Sequence, residues 1–178
     1  MNRSTKLWAL AATALVIVAA LGYIGAQYVF ARKPASLASL PEYPFVGSAY
    51  SIDAVPGPDR ARVETVLRQF AAGVEPGYRA TAERFLASKG EFIWDAVRNS
   101  VGGYLSAPTF RVDNAGQTRP NGEDLAFAVW SRTNRVQQWF NPTHILAVGM
   151  QNALQPAAAG DQVHVYAYFE LTPAGGPA

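Results

Sequence analysis

The order of apolar and polar residues divides this chain into two unlike parts. From Leu7 to Ala31 no residue is charged and the apolar positions follow no period, whereas beyond residue 58 they recur at helical or strand spacing. Asp59 stands as an N-cap after Pro58, ahead of Val63, Val66, Leu67, Phe70 and Val74 at three- and four-residue intervals, which predicts a first domain helix. Its other face carries Arg60, Glu64 and Arg68, four apart, read as a solvated face. After Pro76-Gly77, Tyr78, Ala82, Phe85 and Leu86 fall on one helical stripe, with Gly90 placed to end it, and this predicts a second helix. A third begins near Glu91 and presents Ile93, Ala96, Val97, Val101 and Tyr104, weakened at its end by Gly102-Gly103.

Past Pro108 the period changes to two. Phe110 and Val112 alternate before an Asn-Ala-Gly turn, Leu125, Phe127 and Val129 alternate after Asn121-Gly122, and Thr143–Gln151 and Gln162–Leu171 follow as longer apolar runs. Helices first and strands second predict an α+β domain over residues 59–172, with about three helices covering one face of a roughly four-stranded antiparallel sheet. Residues 173–178, the end of a Thr-Pro-Ala-Gly-Gly-Pro-Ala run, are expected to be a disordered tail.

The uncharged stretch Leu7–Ala31 is 25 residues long, more than the roughly 20 that cross a hydrocarbon core as a helix. Trp8 at one end and Tyr23, Tyr28 and Phe30 near the other suit interfacial depths. The rival reading is a signal peptide cut near Ala20-Leu21-Gly22, but secretory apolar cores run only about 7–15 residues. A transmembrane helix at 7–31 is therefore expected, after a short inner tail at 1–6. Arg3 and Lys6 face Arg32 and Lys33 across it, so orientation rests on the short tail and the large following domain, which favour a cytoplasmic N-terminus and an extracytoplasmic, periplasm-like domain. Gly22, Gly25 and Ala26 form a small-residue face against which another membrane helix can pack.

Residues 32–58 read as a Pro-rich linker, with five prolines between Pro34 and Pro58. Tyr43, Phe45, Val46, Tyr50, Ile52 and Val55 are too apolar for a plain tether, so part of it is expected to dock. Charge follows the same division. From Asp59 onward eleven basic residues meet eleven acidic ones, so the net +2 of the chain comes from its membrane end. That placement argues against nucleic acid as a partner. With no cysteine, disulfides, thiolate metal sites and a cysteine nucleophile are excluded.

The two histidines are the only side chains that titrate near neutrality unaided. A hairpin between Thr143–Gln151 and Gln162–Leu171, with paired numbers summing to 313, puts His144 on the face of Leu146, Val148 and Met150. His164 then joins Tyr166, Tyr168 and Glu170 on the opposite, non-core face, with Tyr166 opposite Ala147 and His164 opposite Gly149. In that register the histidines cannot share a metal ion. The row is a candidate partner-binding stripe, against the blander reading of aromatics that simply favour strands. Trp139 and Phe140, just before Asn141-Pro142, are the edge of a core or a further partner anchor. Glu91 with Asp95, and Glu123 with Asp124, sit where acidic residues are expected on a helix start and an exposed turn. No phosphate loop, dinucleotide fingerprint or nucleophile elbow is present. Asn141-Pro142-Thr143 is no glycosylation acceptor, because proline holds its middle position.

A short tail, one span, a Pro-containing linker, about three helices and about four strands, in that order from Leu7 to Leu171, resembles the bitopic inner-membrane scaffold subunits of type IV secretion and conjugation systems. That resemblance implies a nuclear-transport-factor-like outer domain, with a cystatin-like sheet as the related alternative. Those scaffolds often carry an Asn-Pro-x-Gly loop, and Asn141-Pro142-Thr143-His144 has histidine in the glycine position, so no site residue is carried over. Together these readings lead to the expectation of a non-enzymatic scaffold or assembly protein of a cell-envelope complex, without cofactor or metal, that contacts the bilayer through 7–31 and other envelope proteins or itself. The alternative is a small-ligand cup or enzyme on the same domain, with His144 and Trp139 in its pocket.

Overall fold

The computed structural model describes residues 3–32, 37, 40, 49–52, 57–105, 109–154 and 162–175. The elements are α1 (Arg3–Ala31), β1 (Ala49–Ser51), α2 (Gly57–Val74), β2 (Tyr78–Lys89), α3 (Trp94–Tyr104), β3 (Phe110–Thr118), β4 (Leu125–Arg132), α4 (Arg135–Phe140), β5 (His144–Leu154) and β6 (Val163–Pro173). The strands form one antiparallel sheet in the order β1-β2-β6-β5-β4-β3, five of them long and β1 only three residues. The α+β class follows.

The expected second helix is instead strand β2, the extra long strand of the sheet. The reason is a β-bulge between Ala80 and Ala82. Ahead of it Tyr78 lies on the side of Leu171, and past it Phe85 and Ala87 lie on the side of Phe169, although 78 and 85 differ by an odd number. An extra residue reverses the in-out parity of a strand. The bulge thus spaces the core residues seven apart, as a helix would. Gly90 does adopt a positive φ of 99° as expected of a terminator, but it turns a strand into α3.

Helices cover both faces of the sheet, not one. On the first, α2 lays Val63, Leu67 and Ala71 against Val129, Leu146, Val148, Met150 and Phe169. On the second, α3 lays Trp94, Val97 and Val101 against Ala126, Ala128, Trp130, Ala147, Tyr166 and Tyr168. The strands between two helical layers must be apolar on both sides, which is why β5 and β6 read as continuous apolar runs. From His144 to Met150 the β5–β6 pairs sum to 315, two more than expected, before a bulge between Met150 and Leu154 shifts the register, so the assignment of side chains to faces is as the sequence pattern has it while Gly149 meets Tyr166 and Ala147 meets Tyr168.

Part of the linker docks, as its apolar content predicts. Leu37 and Leu40 are buried in the second core, their carbonyls receiving Arg84 Nη1 at 3.5 and 3.1 Å. Ile52 is buried in the first, and the backbone of Ala49–Ser51 pairs with β2. Tyr43, Phe45, Val46 and Val55 lie outside the described residues, as do residues 176–178. Thr172 and Pro173 belong to β6, paired with Arg79 and Tyr78, so the sheet runs past the expected end of the domain.

Candidate functional site

Among the described residues the chain's apolar helix meets its domain chiefly at α4. Residues Trp8–Ala31 are long and apolar enough to cross a membrane, and their side chains are uncovered until the last turn. There Gln27 Oε1 accepts from Asn134 Nδ2 at 2.7 Å and from Gln137 Nε2 at 2.8 Å. Asn141 Nδ2 donates to the Ala31 carbonyl at 3.1 Å, satisfying an acceptor that a helix end leaves open. Tyr28 and Phe140 meet edge to face at 5.0 Å, and the Arg32 guanidinium lies 5.0 Å from the Tyr28 centroid. All three domain donors belong to α4 or its caps. Asn134 caps α4 by accepting from Gln137 N at 2.9 Å, which fixes the helix that presents the other two. The sequence reading missed this junction. Its signal was Gln27, a polar side chain in an apolar span, which requires a partner.

Phe140 is half-buried against Tyr28, while Trp139 beside it is 77% exposed. Gly22 and Gly25 face open space, and Ala26 is exposed, so the small-residue face of α1 is uncovered within this chain.

The expected stripe is placed differently. His164, Tyr166 and Tyr168 are each fully buried beneath α3 and the linker residues, so they form a second core and not an open binding surface. The physical reason is the size match: rings on β6 fill the space above Ala147 and Gly149 on β5. Two of the three polar tips are bonded into the fold, while the Tyr168 hydroxyl is buried with no hydrogen-bond partner among the described residues. His164 Nε2 donates to the Gly90 carbonyl at 2.8 Å and its Nδ1 accepts from Asn152 N at 3.0 Å, bracing the bulge where Asn152 takes a φ of 52°. The Tyr166 hydroxyl accepts from Ile93 N at 3.0 Å, at the start of α3 where no side-chain cap is made. Burial pushes the phenols of Tyr166 and Tyr168 up to about 12. Glu170, at the end of the row, is half-buried, and burial raises its carboxyl.

His144 stands on the opposite face, as predicted, stacked on Tyr78 with ring centroids 4.3 Å apart. Its Nδ1 lies 3.7 Å from Glu75 Oε2, beyond hydrogen-bonding distance. Burial pushes the imidazole below its ordinary value, while Asp113 pulls it the other way. Burial, and then Asp113, raise the Glu75 carboxyl. A neutral imidazole beside an acid of raised pKa is the kind of pair that moves protons. Here, however, the imidazole is packed flat against a ring and 7% exposed. An indole as exposed as that of Trp139 cannot wall a closed cavity, so His144 and Trp139 do not together make the enclosed pocket of the ligand-cup reading.

Two open clefts are lined by described residues. One of about 280 Å³ lies between Phe92, Thr118, Arg119, Asp124 and Gln151, and the other, about 290 Å³, between α2 and Pro120-Asn121. Arg119 and Asp124 in the first satisfy each other through two hydrogen bonds of 2.6 and 2.8 Å. Among the described residues no three metal-ligating side chains converge.

Comparison of this chain with protein-family models, with curated proteins and with solved structures finds no match.

Proposed function

We propose that this chain is a single-pass membrane protein whose outer domain serves as a non-enzymatic scaffold or assembly element of a cell-envelope complex. One observation carries the reading: the last turn of α1 is bonded into α4 through Gln27, Tyr28 and Ala31. A tether would leave the domain free to turn. A bonded junction fixes its orientation to the membrane, which an assembly element needs and a diffusing catalyst does not. The two filled cores agree, because the interior of the sheet is occupied by the chain's own side chains. Gly22, Gly25 and Ala26 are the face through which a second membrane helix would pack.

The finer readings belong to the same proposal: a cytoplasmic N-terminus with the domain outside the inner membrane, a nuclear-transport-factor-like or cystatin-like ancestry, and service in a secretion machine. A long helix laid across an antiparallel sheet supports the ancestry, although α3 on the second face is an addition to that plan.

The test is a crosslinking pull-down of the tagged full-length chain from its native membranes, beside a variant lacking residues 7–31. Recovery of a reproducible set of envelope subunits, lost with the anchor, is expected. A monomer in mild detergent that recovers no specific partner would end the scaffold reading.

A further inference from the structure

The Leu7–Ala31 helix is longer than the membrane it would cross, and the surplus is where the domain attaches. At 1.5 Å per residue, its 25 residues span about 37 Å against a core of about 30 Å. About one turn therefore extends past the hydrocarbon, and placing the surplus at the domain end sets Gln27–Ala31 at headgroup depth. α4 is bonded to that turn and to no other part of α1 among the described contacts, so α4 lies at the same depth. Its composition fits the place. The six residues Arg135–Phe140 include no acidic side chain, Arg135 on α4 and Arg32 after α1 are both exposed, and Trp139 projects its indole outward.

An aromatic chain connects the span to this indole: Tyr28 packs on Phe140 at 5.0 Å, and Phe140 on Trp139 at 5.0 Å. Tyr and Trp concentrate at the membrane–water boundary because the ring is apolar and its N–H or O–H can stay wet. Arginines at the same level find lipid phosphates. The geometry points to α4 as a second membrane contact, with Trp139 seated in the headgroup layer of the bilayer that α1 crosses. The domain is thus held by two points, a span and an interfacial indole, and cannot pivot about the end of α1. This rests on α1 being a span. A protein partner on Trp139 is the competing occupant; the bilayer is favoured because the rings of Tyr28 and Phe140 join the indole to the span without a break.

The chain has no cysteine, so single cysteines can be introduced into the full-length protein without further changes. Trp139→Cys, Tyr23→Cys and Arg60→Cys would each carry a nitroxide in liposomes of phosphatidylcholine and phosphatidylglycerol. Power saturation then compares access by oxygen, which enters lipid, with access by a water-soluble nickel chelate. The expected result is a graded series: the label at 23 oxygen-accessible, the label at 60 chelate-accessible, and the label at 139 between them, its chelate access at least threefold below that at 60. Equal chelate access at 139 and 60, with 23 in lipid, overturns the contact and leaves the span standing. Shielding of 139 from both reagents overturns it too, by showing a protein interface. If 23 is also chelate-accessible, the span itself fails and the contact with it. Because Trp139 is exposed, its replacement leaves the fold intact, and an unchanged spectrum at 60 when 139 is also substituted checks this.

Discussion

The two faces of the sheet solve the same packing problem with opposite distributions of size. On the α2 face the sheet supplies large aliphatic residues, Leu146, Val148 and Met150 on β5 alone, and the helix answers with Val63, Leu67 and Ala71. On the α3 face β4 and β5 carry Ala126, Ala128, Ala147 and Gly149 beside Trp130 and Ile145, and most of the volume comes from rings: Trp94, Phe92, Trp130 and the two β6 tyrosines. Aliphatic side chains on a face can exchange volume with their neighbours, whereas rings seated on bare backbone leave no slack. The α2 face should therefore absorb small changes that the α3 face cannot.

The largest expected effect is on the ring side. Trp130 is 2% exposed, and Trp130→Ala should cost about 3–5 kcal/mol, enough to leave a marginal domain unfolded. Denaturant unfolding of the full chain in detergent, followed by circular dichroism, measures it. A loss below about 1 kcal/mol would mean that the α3 layer is not a true core. Next is the addition of a single methyl. A Cβ on Gly149 would stand 3.0 Å from atoms of both Phe92 and Trp94, so Gly149→Ala should cost about 1–3 kcal/mol. Its neighbour Met150, fully buried on the other face, should accept leucine for under about 1.5 kcal/mol. If the two substitutions cost the same, the contrast between the faces is wrong.

That contrast also explains what was readable in the sequence. The period of α2 was plain because one of its faces is solvated, and the parity of β5 and β6 was plain because large and small residues alternate along β5. β2 was read as a helix since the bulge at Ala80/Ala82 moves Tyr78 and Phe85 to the same side at a spacing of seven. Two-sided burial was written in the apolar runs of β5 and β6, but an exposed aromatic stripe and a covered one have the same composition. Covering depends on α3 and on Leu37 and Leu40, which no local pattern ties to β6. The hydrogen bonds of the α1–α4 junction join residues 107 to 110 apart, and only the lone Gln27 hinted at them.

The faces should also differ in the alkaline range. The phenols of Tyr166 and Tyr168 are held protonated to about 12, whereas those of an unfolded chain ionise near 10. Between those values the unfolded state binds fewer protons, so stability falls as pH rises from about 10 to about 12. Tyr166→Phe should reduce that fall while costing about 1 kcal/mol at neutral pH, since Ile93 N loses its acceptor. A spectrophotometric titration of the native chain checks the premise: two of its tyrosines should ionise only near 12.

On the α2 face the sensitivity should lie at the acid end and be smaller, because two groups oppose each other. The folded pKa of His144 is below 6.5, so as pH falls past about 6.5 the unfolded chain takes up a proton that the native imidazole refuses, and stability is lost down to that folded value. Glu75 works against it. Its carboxyl is raised above 4.5 in the fold, so the native state binds the extra proton there, and stability is gained as pH falls through that raised value. Asp113 acts on both, opposing the shift of the imidazole and adding to that of the carboxyl, while Tyr78 covers the ring and carries no charge in this range. Measuring the denaturation midpoint from pH 7 to 4 separates the contributions: His144→Gln should flatten the acid-side loss, and Glu75→Gln should steepen it. Both variants should follow the wild type at pH 7 and above except for a constant offset. A wild-type curve that runs parallel to that of His144→Gln throughout would show that the imidazole is solvated in the fold and that the α2 face is open at His144.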